Sequence, residues 1–460
     1  MKPERFRLFA YLATLILSSV ISMPTFASGA GNAAKSAANN VTNQAKQFFN
    51  SMTAKESDVD KFQRSWGHKA ISLQNHLDYN SPLATATFLM THNSFNSSSY
   101  TTAVRYPDPN QYRSIYDQLR MGIRSLELDT HYYFKMQGWP WQWKKQLLLC
   151  HGENNHLGCG SFDRKLTEGL DEINRFLREP ANKKEVVVIY IEDHMDGQYA
   201  KAVQAFSKIS DLVYRPAGNS CQGIPMNITK QDIINAGKQV LIMGGGAVCS
   251  SSAGWDTWAY AGVGDRKSGY PTGTVAKLNG TNCDFSRSFY DKYWVRFYED
   301  RTAISAAFGS PGAAMTASKV VNAEKCGANL IGMDKLTPYD GRLKAAIWSW
   351  DTNEPNNWNN SEDCAVQKGN GRFNDANCSN RYQYACRQPN THNWIVTSGA
   401  GQQSNGASQC QAETGGRYRF STPMNRYDNE QLKIAKSVKG VSDVWLNYND
   451  RATEGNWVAH

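Results

Sequence analysis

Four short stretches end in residues able to move protons or hold a cation: THNSF at 91–95, GIRSLELDTH at 122–131, LLLCHGE at 147–153 and EVVVIYIEDH at 185–194. His92 and His151 close two of them. Paired imidazoles suit acid–base work near neutral pH, one accepting a proton from a nucleophile while the other supplies one to a leaving group. Glu127 and Asp129 are two apart, so on a strand their side chains share a face. Two carboxylates that close repel unless a cation lies between them, and a hard oxygen shell suits Ca²⁺ or Mg²⁺. Asn93 and Glu192, also at strand ends, would complete that shell.

Each stretch is a β-branched or leucine-rich run too short for a self-burying helix. Helical segments are expected near 110–121, 167–178, 199–213 and 317–325, and strands at 84–90, 122–129, 146–151, 185–192, 239–244, 294–299 and 328–334. This alternation predicts an α/β fold, a (β/α) TIM-type barrel with its working face at the strands' carboxyl ends. Asp334, ending LIGMD, is placed to orient one of the histidines. Arg301 and Lys144 are candidate phosphate contacts. The tryptophans and lysines of GWPWQWKK at 138–145 suit the edge of an anionic bilayer.

The chain has 460 residues, room for a barrel and an appendage. Residues 1–27 read as a secretory signal: Lys2, Arg5 and Arg7, an apolar run from Leu8 to Ile21, and small residues through Ala27. A flexible lead and one N-terminal helix are expected over 28–80, and the barrel over 81–345. Ten cysteines without a CxxC pair fit disulfides in an exported, secreted or periplasmic protein, rather than a structural zinc site. The net charge of +9 favours acidic partners such as anionic lipid headgroups, and nothing points to nucleic acid.

On THNSF, GIRSLELD, CHGE and VIYIEDH, in that order and spacing, residues 84–345 resemble the X domain of phosphatidylinositol-specific phospholipase C. The resemblance implies His92 as general base on the inositol 2-hydroxyl and His151 as general acid toward the diacylglycerol oxygen. It implies Asn93, Glu127, Asp129 and Glu192 as ligands of Ca²⁺ against the phosphate. Asp129 stands where metal-independent relatives carry arginine, so the metal-dependent branch is implied. The expected substrate is a phosphatidylinositol-type phospholipid at a membrane surface, cleaved to diacylglycerol and a cyclic inositol phosphate. Glycerophosphodiester phosphodiesterases and sphingomyelinase D-like barrels share the acidic strand and both histidines, but usually begin His-Arg-Gly, unlike His92-Asn93-Ser94.

After Arg342 the composition shifts to Trp, Asn and Cys. IWSWDTNEPNNWNNSEDC, GRFNDANC and YQYACR resemble the carboxyl half of a C-type lectin domain. Glu354, Asn356, Glu362, Asn374 and Asp375 match its five calcium ligands, with glycans as the implied partner. The stretch from NWIVTSG at 393–399 to VWLNYNDRATEGNW at 444–457 looks like the amino half. A circularly permuted, smaller α+β module is therefore expected over 346–460, stapled by Cys364–Cys378 and Cys386–Cys410. The alternative to the enzymatic reading is a calcium-dependent glycan-binding protein whose barrel is inert.

Overall fold

The computed structural model describes residues 56–100, 109–137, 142–152, 155–156, 158–217, 227–245, 250–263, 297–300 and 315–460. The signal and lead over 1–55, Arg301, Trp139, Trp141 and Glu153 lie outside the described residues. The chain divides into two units, Met1–Ser57 and Asp58–His460; the fold below is that of the second.

The strands are β1 (Phe88–Thr91), β2 (Ser125–Gln137), β3 (Gln142–Leu149), β4 (Arg164–Lys165), β5 (Val187–His194), β6 (Val240–Gly245), β7 (Tyr260–Val263), β8 (Phe297–Glu299) and β9 (Leu330–Met333). They form one sheet in the order β7-β6-β5-β2-β1-β9-β8, with β3 on β2 and β4 on β3. Every pairing along this path is parallel. The last strand, β9, pairs with the first, β1, so each strand lies beside a neighbour in cyclic chain order. That is the order of a (β/α) barrel, with its seam between β7 and β8. Strands buried on both faces explain the unbroken apolar runs: β1 is buried throughout, as are the first five residues of β5.

Two expectations need correction. The strand expected at 146–151 is not one of the parallel set: β3 runs antiparallel to β2, pairing Thr130 with Leu149 and Gln137 with Gln142. β2 is long enough to leave the barrel wall and return as a two-stranded ribbon, because its outer half is only partly buried. The single N-terminal helix is two, α1 (Asp58–Gln63) and α2 (Trp66–Leu77), because the Ser65 hydroxyl accepts from His68 N–H and starts a fresh helix.

The helices α3 (Ile115–Arg120), α4 (Leu166–Arg178), α5 (Tyr199–Phe206), α6 (Lys230–Asn235), α7 (Ala317–Lys325) and α8 (Gly341–Ala346) follow in chain order. α4 buries Leu166, Leu170, Ile173, Phe176 and Leu177, the spacing of one helical stripe. Gly122, which turns α3 into β2, has φ +97°, and a Cβ there would stand 2.5 Å from Ile71 Cγ2. Only glycine allows that approach.

The carboxyl-terminal strands are β10 (Cys364–Gln367), β11 (Phe373–Ala376), β12 (Gln383–Arg387), β13 (Trp394–Val396), β14 (Arg419–Phe420), β15 (Val444–Asn449) and β16 (Val458–Ala459), with helices α9 (Gly406–Thr414) and α10 (Arg426–Lys439). β15, from the end of the chain, lies between β10 and β12, so the two halves share one sheet. Disulfides join Cys364 to Cys378 and Cys386 to Cys410, the expected pairs, and Cys150 to Cys159. Trp350 packs edge to face on Phe373 and Trp457, and Tyr448 lies tilted against Trp350 and Trp457.

The module is locked to the barrel by polar contacts. Arg426 Nε of α10 lies 2.6 Å from Glu324 Oε2 of α7, both buried, and Asn425 donates to the Thr85 carbonyl at 2.8 Å. Burial pushes the Glu324 carboxyl up to about 7, against the pull of Arg426. A carboxyl raised in this way holds its proton in the folded chain above the pH at which the unfolded chain has lost it. Arg426→Ala is therefore expected to destabilise the protein by about 3 kcal/mol at pH 8, where Glu324 must be buried unpaired. The loss should shrink at pH 5, where the carboxyl is protonated; urea denaturation at both pH values checks this.

Candidate functional site

The strand carboxyl ends gather the polar residues. Asp129 of β2 lies opposite Glu192 of β5 in parallel register, and the two-residue period places Glu127, Asp129 and His131 on one face of β2. Oxygens of Glu127, Asp129 and Glu192 all lie within 4.8 Å of one another. Asp129 and Glu127 are buried, while Glu192 is partly exposed.

The turn after β1 wraps onto Glu127. Asn93 has φ +45°, a left-handed setting that asparagine tolerates, and its N–H donates to Glu127 Oε2 at 2.8 Å. Ser94 N–H donates to the Glu127 carbonyl at 3.1 Å, while Glu127 N–H donates to Ser94 Oγ at 3.0 Å. This local geometry is what the THNS sequence supplies.

The same turn presents His92. Its Nδ1 lies 2.9 Å from Asp334 Oδ1, at the end of β9, and Asn110 Nδ2 donates to that oxygen at 3.0 Å. Gln111 donates to the carbonyls of His92 and Met333, tying the turn to β9. His92 Nε2 faces the site, 3.9 Å from both Glu127 Oε2 and Glu299 Oε1. Asn110 and Gln111 were not read from the sequence as site residues, because nothing local marks them, and Glu299 was read only as a strand-ending neighbour of Arg301; all three converge through the strand order.

The electrostatics are those of crowded anions. Burial pushes the Glu127 carboxyl well above the usual range, with Glu299 and Glu192 adding to the rise. Burial, Glu192 and Glu127 do the same for Asp129. Burial opposes a charge on His92, yet Glu299, Asp334 and Glu127 together raise its pKa well above the ordinary imidazole value.

His151 is exposed at the end of β3, just after Cys150, whose N–H donates to the Asp129 carbonyl at 3.3 Å. It is near enough to help lower the His131 pKa, a fall to about 3 led by burial. Lys144 lies on the exposed ribbon opposite Lys135, beside Trp143.

In the carboxyl-terminal module, Glu354 lies beside Asp375. Asn356 donates through Nδ2 to Glu354 Oε1 at 2.8 Å and through its N–H to Asp375 Oδ1 at 3.1 Å. Burial and the neighbouring Asp375 and Glu362 carboxylates push Glu354 up to about 8. Asn374 donates to the Asp375 carbonyl. A second group, Asp363, Asp450 and Glu454, has carboxylate oxygens within 4.8 Å of one another. The four-residue spacing of Asp450 and Glu454 was its only sequence signal.

The family model described as the Rv2075c PI-PLC-like domain matches residues 51–340. The chain belongs to this family. Two uncharacterized Mycobacterium tuberculosis proteins, Rv2075c of strain H37Rv and MT2135 of strain CDC 1551, are each 30% identical to it over 411 residues, covering 85% of this chain and 81% of theirs. Among solved structures, the phosphatidylinositol-specific phospholipase C of Listeria monocytogenes is similar at 17% identity and a TM-score of 0.38, covering 60% of this chain and 97% of that one. The calcium-dependent phosphoinositol-specific enzyme of a Pseudomonas species is similar at 12% identity and a TM-score of 0.32, covering 57% and 95%.

The donor set fits a hard divalent cation. The Asn93 amide nitrogen donates to Asp129 Oδ2 at 2.8 Å and its oxygen accepts from His92 Nε2 at 3.0 Å. Binding a cation beside Asp129 would require this amide to turn its oxygen toward the carboxylates. Asn93, Glu127, Asp129 and Glu192 would be its ligands.

Glu127, Asp129 and His92 keep their protons to higher pH in the folded chain than in the unfolded one. Stability must therefore fall as pH rises, beginning near pH 4 for the carboxylates and about 6.5 for the imidazole. A calcium ion bound there would take the place of those protons, and at a hundredfold excess over Kd such binding would stabilise by about 2.7 kcal/mol. Scanning calorimetry should show a calcium-induced rise in Tm that is larger at pH 8 than at pH 5.5, and smaller in Glu127→Gln.

Proposed function

We propose that the chain is an exported, cation-assisted phosphodiesterase acting on phosphatidylinositol-type phospholipid. The reading rests above all on His92: Asp334 holds its Nδ1 and so directs Nε2 into the carboxylate cluster, the arrangement of an oriented general base. Asp334 accepts from Nδ1–H, which leaves Nε2 able to take the proton of the inositol 2-hydroxyl as that oxygen attacks phosphorus. The bond from phosphorus to the diacylglycerol oxygen breaks, and His151 gives that oxygen a proton. The products are diacylglycerol and a cyclic inositol phosphate. A bound Ca²⁺ or Mg²⁺ would neutralise phosphoryl charge. A cation on Glu127 would offset one of the carboxylates that raise the His92 pKa, the others being Glu299 and Asp334.

The ribbon suits a lipid surface beside this mouth. Phe134 and Trp143 are exposed at 44% and 57%, and the Lys145 ammonium lies 5.2 Å from the ring centres of both Tyr132 and Phe134. Aromatic rings beside lysines favour an anionic interface. Disulfides support export to an oxidising compartment. A second reading concerns the carboxyl-terminal module alone: Asn356, which bridges Glu354 and Asp375, would suit a lectin-like calcium site.

Phosphorus NMR of a phosphatidylinositol digest tests the proposal. A cyclic inositol phosphate should form, vanish with chelator, and slow by a factor of about 10² to 10⁴ in His92→Ala. Release of phosphatidic acid, or a rate indifferent to His92→Ala, would contradict it.

A further inference from the structure

The register that sets Asp129 beside Glu192 sets His131 beside His194, two residues further along the same faces of β2 and β5. A layer of imidazoles therefore covers the carboxylate layer on the side of the mouth. The His131 and His194 rings stack with centroids 4.3 Å apart and planes 22° from parallel. His194 Nε2 lies 3.0 Å from Glu192 Oε1. The intervening Asp193 turns the other way and accepts from Tyr199 OH, as strand alternation requires.

His131 is held in turn. Its Nδ1 lies 2.9 Å from His156 Nδ1, and His156 Nε2 lies 3.1 Å from Asp196 Oδ2. A close nitrogen pair needs one donor and one acceptor. Asp196 accepts from His156 Nε2–H, and one proton lies between the two Nδ1 atoms. This chain of His131, His156 and Asp196 fixes the plane on which His194 rests.

We propose that His194 is a positioning residue for Glu192, an inference that rests on the cation reading above. Of the three clustered carboxylates, Glu192 has by far the most exposed side chain, at 43% against 4% for Glu127. The N–H of His194 holds one Glu192 oxygen at the mouth. The ring stack, backed by the His156–Asp196 chain, keeps that N–H from swinging away. Partners of this kind, which orient a ligand, change metal affinity by about 10- to 100-fold when removed.

Calcium titration calorimetry on the full chain tests this, with the barrel site defined as the one that Glu127→Gln removes. His194→Phe keeps a flat ring on His131 and loses the N–H; its Kd at that site should rise about tenfold, with the Tm of the calcium-free protein unchanged. His194→Gln restores an N–H donor and should recover most of the affinity. A wild-type Kd in His194→Phe, or a Kd in His194→Gln as weak as in the phenylalanine variant, overturns the positioning role. If wild type and Glu127→Gln take up calcium identically, the barrel cation site itself fails, and the inference falls with it.

Discussion

Mutual repulsion among carboxylates is the constraint on which this structure turns. Glu127, Asp129 and Glu192 come within 4.8 Å of one another at the carboxyl ends of β2 and β5, with Glu299 across His92. Left alone, such a group must keep protons or recruit positive charge. The raised pKa values of Glu127, Asp129 and His92 express the first course, and a divalent cation would supply the second. The surrounding hydrogen bonds serve to keep the anions in place: the Asn93 and Ser94 turn grips Glu127, Asp334 grips His92, and His194 grips Glu192.

The parallel barrel makes this crowding possible. Register fixes which side chains share a layer, so carboxylates from β2 and β5 meet with no sequence proximity between them. The ribbon of β2 and β3 then carries the chain from the carboxylate layer outward and returns it to Cys150 and His151. One excursion thus brings an exposed aromatic and basic surface beside the site. The carboxyl-terminal module packs on the barrel through α10 and the loop at Glu354, whose carbonyl accepts from Trp66 of α2.

Residues that act through local geometry were legible in the sequence. The Glu127–Asp129 spacing gave a shared face, the apolar runs gave the strands, and α7 falls at 317–325 as expected. What escaped is non-local. β3 reads as another core strand because Leu147, Leu148 and Leu149 are buried, yet its direction is set by the length of β2, which no short pattern reveals. Asn110, Gln111 and Glu299 reach His92 only because β8 and β9 lie next to β1. The histidine layer was hidden for the same reason: His131, His156 and His194 come from three segments and meet through register and a disulfide-closed loop. Paired cysteines from 364 to 410 were readable because a resemblance, rather than a physical rule, joined them.

The most direct measurement is the titration of the His92 ring protons by NMR, with and without Ca²⁺, assigned against His92→Ala. If clustered carboxylates govern the site, His92 titrates well above an ordinary imidazole when calcium is removed and shifts down toward the ordinary value when it is added. An ordinary pKa that does not respond to calcium would contradict the account at its root.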